Sequence, residues 1–274
     1  MTPDIFSLKD RIVVITGAAG LLGCQHAERV AACGGIPVLL DLRAGPVEAL
    51  AQGLGDRYNI PSAGYAVDIT RETEIRDNCQ AVLERFGKID ALVNNAANNP
   101  KVENQDGKNF SRLEHFPLEV WNADLAVGLT GAFLCAKHYG AAIAANPRGG
   151  VILNIASDLA LIAPDQRLYR QPGVPEDQQP VKPVTYSVIK TGLIGLTRYL
   201  ATYWPERVRC NALCPGGVVA GQPPDFLREV SVRIPMGRMA LPSDYQGALI
   251  FLLSEASRYC NGAVVAVDGG RTAW

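Results

Sequence analysis

The sequence predicts a doubly wound α/β domain, a three-layer sandwich in which one seven-stranded parallel sheet carries helices on both faces. Two observations predict it. Short β-branched runs alternate with helix-length segments along the chain, and most of those runs are apolar throughout, without the in/out alternation of a half-exposed strand. A strand with no polar face is covered on both sides, and parallel strands joined by crossover helices are the arrangement that covers them.

Taken in order, the strands read RIVVIT (11–16), IPVLLD (36–41), GYAVD (64–68), ALVNN (91–95), VILNIAS (151–157), VRCNALC (208–214) and AVVAVD (263–268). The 274 residues exceed a typical domain, yet sheets of this class fold as single units at about this length, so one domain over 1–274 is expected. No repeat or low-complexity segment divides it. The one compositional break is APDQRLYRQPGVPEDQQPVKP (163–183), where prolines are set among charges and glutamines; it reads as a lid-like insertion within the domain.

Composition narrows the partner. The chain is 48% hydrophobic and 19% charged with a net charge of −1, which supplies a core but no electrostatic footprint for nucleic acid or an anionic membrane. A small-molecule partner is expected. The seven cysteines are odd in number and contain no C-x-x-C pair, so they read as reduced thiols of a cytoplasmic protein. Cys210 and Cys214 read as apolar packing in preference to metal ligands, and no metal is expected. The start, MTPDIFSLKDR, lacks the order of a signal peptide, and no apolar run reaches membrane-spanning length.

The first strand runs into TGAAGLLG, with glycines at 17, 20 and 23, and the following CQHAERVAACGG is helical in pattern. Glycine turns let the backbone approach a pyrophosphate, and the helix N-terminus behind them offers unpaired N–H groups and a positive dipole end. This strand-turn-helix context points to a dinucleotide and a Rossmann-type fold. Asp41 ends the second strand, 18 positions after Gly23, where a carboxylate accepts from both hydroxyls of an adenosine ribose and repels a 2′-phosphate. NAD is therefore the expected cofactor, with Arg43 as the one nearby feature suited to NADP.

Within PVTYSVIKTGLIGLTRYL, Tyr186 and Lys190 are four residues apart and share one helix face. A phenol is a poor base at neutral pH, and an ammonium within a few ångströms favours the phenolate, so the pair forms a tunable acid/base.

TGAAGLLG, VDI (67–69), NNAA (94–97), NIAS (154–157), YSVIK (186–190), CPGG (214–217) and VDGG (267–270) follow one another as in the short-chain dehydrogenase/reductase family, which the chain resembles over residues 8–270. The resemblance implies an oxidoreductase that interconverts a secondary alcohol and a carbonyl. It assigns Tyr186 as the proton-transferring residue, Lys190 as its support and the holder of the nicotinamide ribose, and Ser157 as the group that orients the substrate oxygen. It also places Gly17, Gly20, Leu22 and Gly23 at the phosphates and Asp68 and Ile69 at the adenine. Asn95 and Ala96 fall along the adenosine ribose, and Pro215, Gly216 and Val218 at the nicotinamide amide. A homodimer or homotetramer built on the helix 184–203 is implied as well.

Three departures stand out. The family's helix asparagine, seven residues after a tryptophan, is replaced by Gly128, counting from Trp121. The glycine spacing is T-G-x-x-G-x-x-G, with Leu21 where a glycine is usual, and Ala220 replaces a hydroxyl residue. The separation of Ser157 from Tyr186, 29 positions, exceeds the family's usual one because of the insertion. Asp158, Arg167 and Arg170 are the candidate substrate contacts, suited to a polyhydroxylated substrate and to a phosphate or sulfonate held by the arginines. KPVTYSVIK and VDGGRTAW resemble members of bacterial surface-sugar and flagellin-glycan pathways, which again implies a sugar. Two rivals remain open: a reductase of a hydrophobic ketone or acyl thioester, and a cofactor-binding scaffold without turnover.

Overall fold

The computed structural model describes residues 4–98 and 111–274. Its seven strands are β1 Ile12–Thr16, β2 Ile36–Asp41, β3 Ala63–Ala66, β4 Ala91–Asn94, β5 Gly150–Ile155, β6 Val208–Pro215 and β7 Val264–Val267. All pair in parallel in the order β3-β2-β1-β4-β5-β6-β7. The order reverses between β1 and β4, and the crevice outside the carboxyl ends of those two strands is where such sheets bind ligands.

The unbroken apolar strands are buried on both faces, as their pattern demands. Val13, Ile15, Leu39 and Val93 point into one core with Val30 of α1 (Leu21–Ala32), Val47 of α2 (Ala44–Tyr58) and Leu252 of α9 (Gln246–Leu253). Their neighbours Ile12, Val14, Val38 and Leu92 point into the other, with Ile75 of α3 (Glu72–Phe86) and Leu200 of α7 (Val184–Tyr203). The period of two in side-chain direction assigns alternate residues to opposite layers.

The edges depart from expectation. β3 ends at Ala66, two residues earlier than the apolar run suggests, and β7 is only half-buried because it has a neighbour on one side alone. The second core also holds an uneven helix. α4 (Leu118–Leu125), α5 (Gly131–Cys135) and α6 (Ala141–Ala145) are joined by π-helical turns at Ala126–Thr130 and Ala136–Gly140 into one continuous body. α8 (Pro224–Ser231) lies apart, beside the insertion. Among the described residues no helix is long and apolar enough to cross a membrane.

His26 on α1 is 1% exposed, and neither ring nitrogen has a hydrogen-bond partner among the described residues. Burial lowers its pKa to about 4. Between that value and about 6.5 the unfolded chain binds a proton that the folded chain refuses, so stability rises with pH across the window and is lost on acidification. Denaturant titrations of wild type and His26→Leu from pH 7 to 4 are expected to diverge by about 3 kcal/mol, the wild type losing more.

Candidate functional site

One cleft of about 540 Å³ runs across the carboxyl ends of the strands, and nearly every residue singled out in the sequence lines it. Its first end is built around β1. Gly17 has φ +62°, and a Cβ there would lie 2.8 Å from Ala96 Cα; a Cβ on Gly23 would lie 2.2 Å from the Gly17 carbonyl oxygen. Both positions therefore require glycine. Gly17, Gly20 and Leu22 line the cleft, while Gly23 supports the turn from behind it.

The turn is held from the neighbouring strand. Thr16 Oγ1 accepts from the backbone N–H groups of Asn95 and Ala96, each at 3.0 Å, and Asn95 Nδ2 donates to the carbonyls of Thr16 at 2.9 Å and Gly17 at 3.1 Å. Asp41 accepts from Ala19 N–H at 3.0 Å and from Leu42 N–H at 2.9 Å, so its carboxylate fixes the middle of the turn while facing the cleft. No side chain caps α1, and its first turn carries no acidic residue. A glycine cradle that a Cβ would fill, a bare helix N-terminus and a carboxylate at the end of β2 fit a nicotinamide dinucleotide. Asp68 and Ile69 line the same end, although Asp68 lies beyond β3 and its Oδ1 accepts from Thr70.

At the far end, Pro215, Gly216 and Val218 follow β6. A Cβ on Gly216 would lie 2.9 Å from Asp268 Cα, and the Gly216 carbonyl accepts from Tyr245 Oη at 2.8 Å. Ala220 carries no polar side chain, but Gln222 reaches back to its N–H at 2.7 Å and to the Val218 carbonyl at 2.9 Å.

Ser157, Tyr186 and Lys190 meet in the same cleft. Ser157 and Lys190 are buried, at 3% and 5% exposure, and Ser157 is near enough to Tyr186 to act on the acidity of its hydroxyl. The electrostatics differ from the sequence expectation. Lys190 Nζ lies 5.9 Å from the Tyr186 ring centroid and donates to the Ile155 carbonyl at 2.8 Å. Burial dominates: it raises the Tyr186 pKa against the opposing effects of Ser157 and Arg271, and it lowers that of Lys190 to about 8. The expected phenolate is thus a buried phenol beside a buried ammonium.

The candidate substrate contacts separate. Asp158 is in the cleft, 2% exposed, with Oδ1 accepting from Ser157 Oγ at 2.9 Å and Leu159 N–H at 2.8 Å, and Oδ2 paired with Arg271 Nη1 at 2.8 Å. Arg167 and Arg170 are not in the cleft lining. Each is turned to a carboxylate of the insertion: Arg167 to Asp165 at 2.8 Å and Arg170 to Glu176 at 2.5 Å. The local carboxylates satisfy these arginines within six residues, which composition alone does not show.

The cations at the chemical end of the cleft are instead Lys182, Lys190 and Arg271. Lys182 Nζ sits 3.9 Å above the Tyr186 ring centroid. Its signal was its place four residues before the tyrosine, one helical turn back, just ahead of the α7 start.

Gly128 faces α7 within the first π turn, and a Cβ there would lie 2.6 Å from Ile189 Cγ2. A side chain at 128 must displace a β-branched core residue. Beside it is a cavity of about 10 Å³, lined by Asp124, Gly128, Tyr186 and Lys190 among others, at the threshold for one water. Asp124, which sequence reasoning missed, is buried, accepts from Thr185 Oγ1 at 2.6 Å and thereby docks α4 on the first turn of α7.

The Asp158–Arg271 pair is desolvated, its side chains 3% and 11% exposed. Removing one member leaves the other uncompensated. Asp158→Ala is expected to cost roughly 3 kcal/mol in denaturant unfolding, and Asp158→Ala/Arg271→Ala less than the sum of the two single changes.

Comparison with known proteins gives a consistent result. The sequence model described as short chain dehydrogenase matches residues 11–168, and one described as enoyl-(acyl carrier protein) reductase matches residues 176–272. D-threitol dehydrogenase of Mycolicibacterium smegmatis is 32% identical, over 97% of this chain and 95% of that protein. 2-Dehydro-3-deoxy-D-gluconate 5-dehydrogenase of Escherichia coli is 30% identical, over 98% of each. The crystal structure of a gluconate 5-dehydrogenase from Burkholderia cenocepacia, in complex with NADP and tartrate, superposes with a TM-score of 0.86 at 26% identity, over 99% of this chain and 98% of that one.

Proposed function

The chain belongs to the short-chain dehydrogenase/reductase family, and on that premise we propose that it is an NAD-preferring dehydrogenase of a sugar or sugar derivative. An oxidoreductase acting on CH–OH groups of sugar-like molecules is common ground among its relatives, one named for a polyol and another for a sugar acid. The observation that carries the reading is the meeting of Ser157, Tyr186 and Lys190 in a cleft whose other end is a glycine cradle.

The bound nicotinamide supplies the hydride acceptor for oxidation and the hydride donor for reduction. Ser157 and Tyr186 hold the substrate oxygen between two hydroxyls. In reduction Tyr186 gives its phenolic proton to the oxygen as the carbon gains hydride; in oxidation the phenolate takes that proton back. Lys190, which donates to the Ile155 carbonyl and whose pKa burial lowers to about 8, stabilises the phenolate as it forms. Because burial raises the Tyr186 pKa, the resting residue is a proton donor. Oxidation is expected to accelerate with rising pH and reduction to slow.

NAD preference rests on Asp41, whose carboxylate is fixed at the end of β2 and would repel a 2′-phosphate. The B. cenocepacia protein was crystallised with NADP, so cofactor choice is decided by experiment. A homodimer or homotetramer is proposed through the exposed apolar residues of α7, Val188, Tyr199 and Tyr203.

The test is a panel of polyols, sugars and sugar acids with NAD⁺ and NADP⁺, for wild type, Tyr186→Phe and Asp41→Ala. Tyr186→Phe is expected to lower kcat by about 10²–10⁴ while cofactor still binds. Asp41→Ala is expected to shift the NAD:NADP ratio of kcat/KM toward NADP by about tenfold or more. Equal use of both cofactors by wild type would remove the NAD preference. Tight cofactor binding with no turnover on any alcohol would leave the cofactor-binding scaffold as the reading.

A further inference from the structure

The charges at the chemical end of the cleft do not balance. Three cations, Lys182, Lys190 and Arg271, line it with one carboxylate, Asp158. Asp158 is fully used: Oδ2 holds Arg271, and Oδ1 holds Ser157 Oγ and Leu159 N–H. Lys190 is directed at the Ile155 carbonyl and, in its proposed role, at the nicotinamide ribose. Lys182 is left. Among the described residues no carboxylate lies within ion-pair distance of it.

Nor is Lys182 a solvated tip. Its backbone N–H donates to Gln166 Oε1 at 2.8 Å, and Pro183 immediately after it fixes the start of α7, so the stem is anchored on both sides. Burial penalises its charge, and Asp158 only partly opposes that. The ammonium sits over the face of the tyrosine that transfers the proton. A ring face attracts a cation but does not neutralise it. The oxidised nicotinamide, itself a cation, would add to the excess.

We propose that Lys182 binds a carboxylate of the substrate, which makes the preferred substrate a sugar acid or other hydroxy acid in place of a neutral polyol. The inference rests on the reading of the cleft as the site of an alcohol oxidoreductase and adds the substrate's charge to it. Lys182 is the one cation there with no assigned partner, and a single carboxylate suits its single ammonium. The residue comes from the insertion at 163–183, so the insertion carries the selectivity while the strands carry the chemistry.

The experiment compares matched pairs, D-threonate with D-threitol, D-mannonate with D-mannitol and D-glycerate with glycerol, together with mannitol 1-phosphate. Full-length wild type, Lys182→Met and Lys182→Arg are assayed with saturating cofactor. The acid is expected to exceed its neutral partner in kcat/KM by about 10- to 100-fold, mostly through KM. Lys182→Met is expected to collapse that acid-to-neutral ratio, and Lys182→Arg to retain most of it. The ratio in wild type is also expected to fall as ionic strength rises from about 0.05 to 0.5 M. Three outcomes overturn the proposal while leaving the oxidoreductase reading intact: neutral polyols used as well as acids, a phosphate ester preferred over the carboxylates, or Lys182→Met lowering acid and neutral substrates alike, which would make Lys182 a modulator of Tyr186. Absence of turnover on every alcohol, with cofactor bound, overturns the oxidoreductase reading and this one with it.

Discussion

Thr16 and Asn95 tie the carboxyl ends of β1 and β4 together, and the site depends on that tie. The sheet order reverses between these two strands, so the crossover helices leave in opposite directions and the ends part. One threonine hydroxyl that accepts two backbone N–H groups, and one amide that donates to two carbonyls, keep the parting strands in register. Gly17 then turns with positive φ against Ala96, close enough that no side chain fits between them. The glycine cradle is therefore a property of two strands, though only one of them contains the glycines.

From that crevice the cleft extends toward β5, β6 and α7, where Ser157, Asp158 and Lys190 are buried and charges are costly. Burial governs both members of the Tyr186–Lys190 pair more than their mutual attraction does. The lysine keeps its charge near a backbone carbonyl, and the tyrosine keeps its proton near a serine. What looks in sequence like a preformed base has surroundings that favour the protonated phenol.

Most of the fold was legible because apolar runs and their alternation with helices are local properties. Val13 and Val14 look alike in sequence, and the sheet sends them to opposite cores without needing to tell them apart. The candidate catalytic residues were legible through the family resemblance, and the helix face shared by Tyr186 and Lys190 agrees with their meeting Ser157 in one cleft. Partners separated by long stretches of chain were not. Arg271 reaches Asp158 across 113 positions, and Asp124 meets Thr185 across 61. The absence of a side chain at Gly128 is also a tertiary fact: α7 brings Ile189 against the π turn, and the wider turn and the missing Cβ accommodate the same close approach.

One carboxylate of the insertion fastens it to the region of α8. Asp165, whose pKa is held well below the usual carboxylate range, takes Arg167 from its own segment and Arg233 from just beyond α8, at 2.8 and 2.7 Å. Tyr169 and Phe226 add an aromatic contact across the same seam, with ring centroids 6.1 Å apart. The two lips of the cleft are thus one mechanical unit, latched by ion pairs that are partly open to solvent and weakened by salt. Ionic strength acts on this latch as well as on any charged ligand, so absolute rates at different salt concentrations mix the two effects. Only a ratio of two substrates sharing the same cleft separates them.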